Sequence, residues 1–186
     1  MHAGVTCFCD TLEAPFTERG TLIEQAKAID ALGMRAIVSL ESSERVDAEN
    51  GERCLQENVD AVQWTRKHAK RVQGAICTHT TFTCSKDFIA RAGALAEEND
   101  AMLQFHLSES VYEPSVTENP ALVYRDLGVL GERTLASQCV QMTEPELLAL
   151  RDTGTKVVHM PLSNCEVGGG FSPVPKMLEM GKGPGR

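Results

Sequence analysis

Short apolar runs alternate with amphipathic stretches along this chain, and that alternation limits what it can fold into more than any other feature. Six runs read as strands: residues 5–9, 36–40, 72–77, 101–105, 134–140 and 156–160. Helical spacing fills the intervals at 21–32, 55–70, 86–98 and 120–127, from Thr143 to about Gly154, and at 175–180. The punctuation agrees with this reading. Gly33, Gly128 and Gly181 stand where helices stop, and Ser85 stands where one starts. Thr143 and Glu146, with Pro145 between them, form a capping box at the head of another helix. Strands that alternate with helices imply right-handed crossovers and a parallel sheet. Two architectures satisfy the pattern, a doubly wound open sheet and a (β/α)8 barrel. A dinucleotide-binding sheet would carry a glycine-rich turn after its first strand, whereas residues 5–10 run into Thr11, Leu12 and Glu13. The glycines at 168–170 come late and lack the lysine of a phosphate loop.

Composition narrows the partners. The chain is 42% hydrophobic and 24% charged, as globular domains are, so it is neither disordered nor collagen-like. Eighteen basic against 26 acidic residues give a formal net charge of −8, which argues against a nucleic-acid footprint. No apolar run approaches the ~18–20 residues of a membrane span, and no signal-like segment opens the chain. These features predict a soluble, cytoplasmic protein with no membrane partner. The seven cysteines are odd in number and show no paired spacing, so they read as small buried hydrophobes in a reducing compartment.

In a (β/α)8 barrel the chemistry sits at the C-terminal ends of the strands. Three of the five histidines fall there: His79, His106 and His159. His2 and His68 do not. Each strand-end histidine has a plain alternative reading as a hydrogen-bonded structural residue. His106 and Glu109 form the pair of greatest chemical interest. A neutral imidazole is the commonest metal ligand. A carboxylate three residues on can stand beside metal-bound water, whose pKa a zinc ion lowers toward ~7, and move its proton.

Five segments, in order, resemble the metal-dependent amidohydrolases of the deaminase/chlorohydrolase branch, which includes methylthioadenosine/S-adenosylhomocysteine deaminases, guanine deaminases and triazine hydrolases. They are Gly4-Val-Thr6, Gly33-Met-Arg-Ala36, His79-Thr-Thr-Phe-Thr-Cys-Ser85, Phe105-His-Leu-Ser-Glu109, and His159-Met-Pro-Leu-Ser-Asn164 with the glycines and Phe-Ser-Pro-Val that follow. The resemblance implies an incomplete barrel of about strands 2 to 7, forming one domain over residues 1–186. It also implies hydrolysis of a C–N bond on a purine- or pyrimidine-like ring, with dechlorination as the chemistry of some members. His106 is then a ligand of one divalent metal, zinc or iron, and Glu109 the proton shuttle. His79 and Gln138 face the substrate, Gln138 at the position where the family carries a histidine. Ser163 and Asn164 shape a loop. The family's HxH pair and its strand-8 aspartate lie beyond residues 1–186, and a catalytic zinc wants three or more protein ligands. The alternative is therefore a truncated or degenerate barrel that binds or assembles without catalysis. Open edges at the first and last strands predict a homo-oligomer, with a small heterocycle as the other partner.

Overall fold

The computed structural model describes residues 4–181, so His2 and the tail at 182–186 lie outside the described residues. The chain divides into two compact units, one of residues up to 79 together with 91–103, the other of 80–90 together with those from 104 on.

The first unit is built on a parallel sheet in the order β1 (Cys7–Leu12), β2 (Arg35–Leu40), β3 (Val72–Gly74). Cys7 faces Arg35 and Leu12 faces Leu40 across the first pair, and Ala36 faces Val72 across the second. Helices α1 (Thr21–Ala31) and α2 (Ala48–His68) make the crossovers. Their apolar faces meet the sheet in a core of Leu22, Ala26, Val38, Leu40, Ala61 and Val72. Buried Glu57 of α2 caps α1, accepting the amides of Gly20 (2.8 Å) and Leu22 (2.9 Å).

The expected strand at 72–77 is two strands. After β3 the chain turns at Ala75 into β4 (Ile76–Cys77), so that Ala75 N donates to Val38 O and Ile76 N to Met102 O. Gly74 permits the approach of β3 to α2, since a Cβ there would lie 2.6 Å from the Val62 nitrogen. Helix α2 begins seven positions before the expected 55, at an Asp47 cap that accepts Asn50 N at 2.7 Å. Gly51 in the first turn of this helix is buried.

Helix α3 (Lys86–Glu98) opens as expected, with Phe88 N donating to Ser85 Oγ at 3.2 Å. In the second unit, β5 (Leu103–Leu107), β6 (Thr134–Gln138) and β7 (Lys156–Val158) follow one another in the sheet, with β6 and β7 parallel. Between them lie α4 (Tyr112–Val116), α5 (Pro120–Asp126) and α6 (Glu144–Thr153), and α7 (Pro161–Glu166) and α8 (Val174–Gly181) close the described chain. The capping box of Thr143 and Glu146 forms as the sequence predicts. Buried Phe105 and Tyr124 stack at 3.9 Å between ring centroids, which seats α5 on β5. Among the described residues no helix is long and apolar enough to cross a membrane.

None of the seven cysteines forms a disulfide. Four are buried, as expected, whereas Cys7, Cys9 and Cys165 are exposed, the first two because β1 lies at the edge of its sheet. Burial pushes the thiol of Cys54 up, and those of Cys77 and Cys139 further. His68 sits in the last turn of α2 against Trp64, with ring centroids 5.2 Å apart.

Candidate active site

The C-terminal ends of β5, β6 and β7 converge in the second unit on one hydrogen-bonded chain of side chains. His106 lies inside β5, one residue past the expected strand end, because β5 covers 103–107 and not 101–105. Its Nδ1 is 3.1 Å from Oε1 of Gln138, the last residue of β6. Gln138 Nε2 donates to Oε1 of Glu109 at 3.4 Å, and Ser163 Oγ of α7 donates to the same oxygen at 3.1 Å. A glutamine has one acceptor oxygen and one donor nitrogen. With the nitrogen turned to Glu109, the oxygen faces His106, and Nδ1 must carry the proton. The network therefore places a proton on Nδ1, which donates to Gln138 Oε1.

Local backbone shape makes this convergence possible. Gln138 (φ 67°), Cys139 (φ 48°) and Ser108 (φ 48°) all occupy the left-handed region, which non-glycine residues seldom adopt. Such strain concentrates at functional sites. It is held by backbone bonds between the two strand ends: Cys139 N donates to Leu107 O, and Val140 N and Gln141 N both donate to Ser108 O. Gly169 packs on the same turn, where a Cβ would lie 2.0 Å from the Glu109 carbonyl oxygen. Gln141 Nε2 ties that glycine down through its carbonyl at 2.8 Å.

Three of the four sequence-predicted site residues, His106, Glu109 and Gln138, are thus joined. Gln138 is buried between the other two. His79 belongs to the first unit, half-buried just past β4, with its amide donating to Ser42 O at 3.0 Å. His159 follows β7 and is half-buried. Ser163, expected to shape a loop, touches Glu109 directly. Asn164 lies in α7, and its backbone carbonyl accepts Gly169 N at 2.8 Å.

Glu113 escaped the sequence reading altogether. It is 2% exposed, and burial pushes its carboxyl up despite the donors around it. Its four-residue spacing from Glu109 was the available signal. Beside it, Tyr112 meets Phe82 edge to face at 4.9 Å, both rings exposed.

Among the described residues no three His, Cys, Asp or Glu side chains cluster to hold a metal ion. His106 offers one imidazole, and both donors to Glu109 Oε1 are neutral side chains. By themselves these residues do not fit a catalytic metal.

Comparisons with known proteins come from three directions. The model of the amidohydrolase family matches residues 1–183. A 5'-deoxyadenosine deaminase of Methanothermobacter thermautotrophicus is 32% identical over 84% of this chain and 38% of its own length. A 5-methylthioadenosine/S-adenosylhomocysteine deaminase of Carboxydothermus hydrogenoformans is 29% identical over 97% of this chain and 41% of its own. In structure, a guanine deaminase from C. acetobutylicum with bound guanine superposes with a TM-score of 0.84 at 23% identity, over 96% of this chain and 45% of that one. An adenosine deaminase from Xanthomonas campestris with bound zinc gives 0.82 at 22%, over 95% and 40%. The fold is therefore α/β with parallel strands, of the amidohydrolase barrel type, and the chain spans only about two fifths of each relative.

Proposed function

The chain belongs to the amidohydrolase family, and from that premise we propose that it carries part of the active site of a hydrolase that deaminates an adenosine-like purine. The observation that carries this reading is the Glu109 carboxylate, held through one oxygen by Ser163 and Gln138 at the mouths of three successive strands. Fixing Oε1 leaves Oε2 as the oxygen presented to a reacting molecule. Glu109 accepts a proton from the attacking water at Oε2 and delivers it to the ring nitrogen as the water oxygen bonds to the ring carbon; the remaining hydroxyl proton then passes to the exocyclic amine, whose bond to carbon breaks to release ammonia. A general acid–base group of this kind contributes about 10²–10⁴ in rate.

His106 is held at the end of β5 by the contact of its Nδ1 with Gln138. We assign it as one ligand of a divalent metal, zinc being the ion bound in the Xanthomonas relative. The described residues do not complete such a site, so the steps above are those of this chain's own side chains. His79 and Gln138 are assigned to the heterocycle. For Gln138 the support is its bridge between His106 and Glu109, and for His79 its position just past β4.

Deamination is favoured over dechlorination because both curated relatives named above are deaminases of adenosine derivatives. The test is ammonia release by the purified protein from 5'-deoxyadenosine, methylthioadenosine and guanine, with chloride release followed for a chlorinated triazine. Turnover of the adenosine derivatives is expected. Turnover of the triazine alone, or of none of the four, overturns the reading.

A further inference from the structure

Among the described residues, three glutamates are no more than 2% exposed, Glu57, Glu113 and Glu146, and two of them have an evident structural task. Glu57 accepts the amides that open α1, and Glu146 accepts Ala121 N at the head of α5 and Thr143 N at the head of α6. Both complete helix N-termini, where orphan amides need acceptors.

Glu113 is different. Its Oε1 accepts the amide of Thr81 at 2.8 Å and the hydroxyl of Thr81 at 2.6 Å, and its Oε2 accepts the amide of Ser108 at 2.6 Å. Neither donor opens a helix. Thr81 lies in the turn that follows β4, within the segment from His79 to Ser85. Ser108 stands between His106 and Glu109 in the left-handed region, with φ 48°. The same Ser108 peptide accepts Val140 N and Gln141 N through its carbonyl, so it also fixes the chain that leaves Gln138. A left-handed serine persists only where its surroundings over-determine it, and Glu113 supplies the acceptor on its amide side.

We propose that Glu113 is a positioning residue that clamps the Thr81 turn and the Ser108 peptide, and so sets the direction in which Glu109 leaves β5. The kinetic part of this inference rests on the deaminase reading, and the structural part does not. Catalytic geometry is steep, since a displacement of about 1 Å can cost 10²-fold in rate. A carboxylate is required because all three of its partners are donors. In Glu113→Gln one acceptor oxygen is replaced by an NH₂ group that points at an amide N–H.

The test combines hydrogen exchange with kinetics on the purified protein. In Glu113→Gln, the Ser108 and Thr81 amides are expected to exchange at least about tenfold faster. The Ala121 amide, held by Glu146, serves as an internal control and stays unchanged. For 5'-deoxyadenosine, kcat is expected to fall at least about tenfold with KM within about threefold. Unchanged exchange at Ser108 and Thr81 overturns the proposal. So does faster exchange with an unchanged kcat, which marks Glu113 as merely structural. If the wild-type protein has no deaminase activity, the reading of function fails while the exchange result alone decides the clamp. Should Glu113→Gln not fold, Thr81→Val removes one of the three donors, and the same two readouts are expected to move in the same directions by a smaller amount.

Discussion

Ser163 donates a hydrogen bond to Glu109 at 3.1 Å across 54 positions of sequence, and this bond joins the end of β5 to the turn after β7. Together with Gln138 it fixes one carboxylate oxygen. Ser163→Ala removes one of the two donors while leaving the fold intact. Misplacement of a reacting group by about 1 Å can cost 10²-fold in rate, so kcat is expected to fall by about tenfold or more, with the melting temperature lowered by no more than a few degrees. Steady-state kinetics and a thermal melt check both halves of this expectation.

Gly169→Ala is expected to be costly for a different reason. The new Cβ would stand 2.0 Å from the carbonyl oxygen of Glu109, a backbone atom that no rotamer change can move aside. Overpacking of this kind costs typically ~1–3 kcal/mol, and for a chain of this size that lowers the melting temperature by several degrees. The Glu109 peptide must shift to accommodate the methyl group, so activity falls with stability. Calorimetry and kinetics on the same sample read the two effects.

The helix ends and the order of elements are legible in the sequence, because caps act over three or four residues. Ser85, Thr143 and Glu146 perform as their spacing predicts. Less legible are features decided by distant neighbours. Nothing local in 72–77 shows that the chain changes partners at Ala75, since that turn depends on Gly74 meeting Val62 of α2. The short helices α4 and α7 lack the length that makes a period visible. His106 and Glu109 stand out because strand ends collect chemistry, and Gln138 only through the family resemblance. Ser163 and Glu113 do not, since a hydroxyl or carboxylate in a loop reads as solvated until its partners are known.

Burial makes a pH prediction for Glu113. Its carboxyl is held above the ordinary carboxylate range, chiefly because the ionised form is desolvated. A group whose pKa is raised on folding contributes stability that is fully present below its unfolded pKa and is lost as pH rises through the folded value. Chemical denaturation followed as pH rises from the ordinary glutamate pKa of about 4.3 is expected to show this decline in the wild-type protein. In Glu113→Gln, that part of the pH dependence is expected to disappear.

Thiol labelling provides an independent check on the fold. Cys7, Cys9 and Cys165 are exposed, whereas Cys54, Cys77, Cys84 and Cys139 are buried. The thiolate is the reactive form, and burial keeps Cys54, Cys77 and Cys139 protonated well past neutrality. A thiol reagent at neutral pH is expected to modify three cysteines quickly and the remaining four only on unfolding. Rapid modification of Cys77 or Cys139 in the native protein contradicts the packing described for those strands.

The central claim is that Glu109 moves the proton in a hydrolytic deamination. Glu109→Gln tests it most directly, because the amide preserves shape and the Ser163 contact but cannot accept and return a proton. Measured as ammonia release from 5'-deoxyadenosine under saturating substrate, the account predicts a loss of at least about 10²-fold in kcat with substrate binding retained. A Glu109→Gln protein that deaminates within a few-fold of the wild-type rate would contradict it.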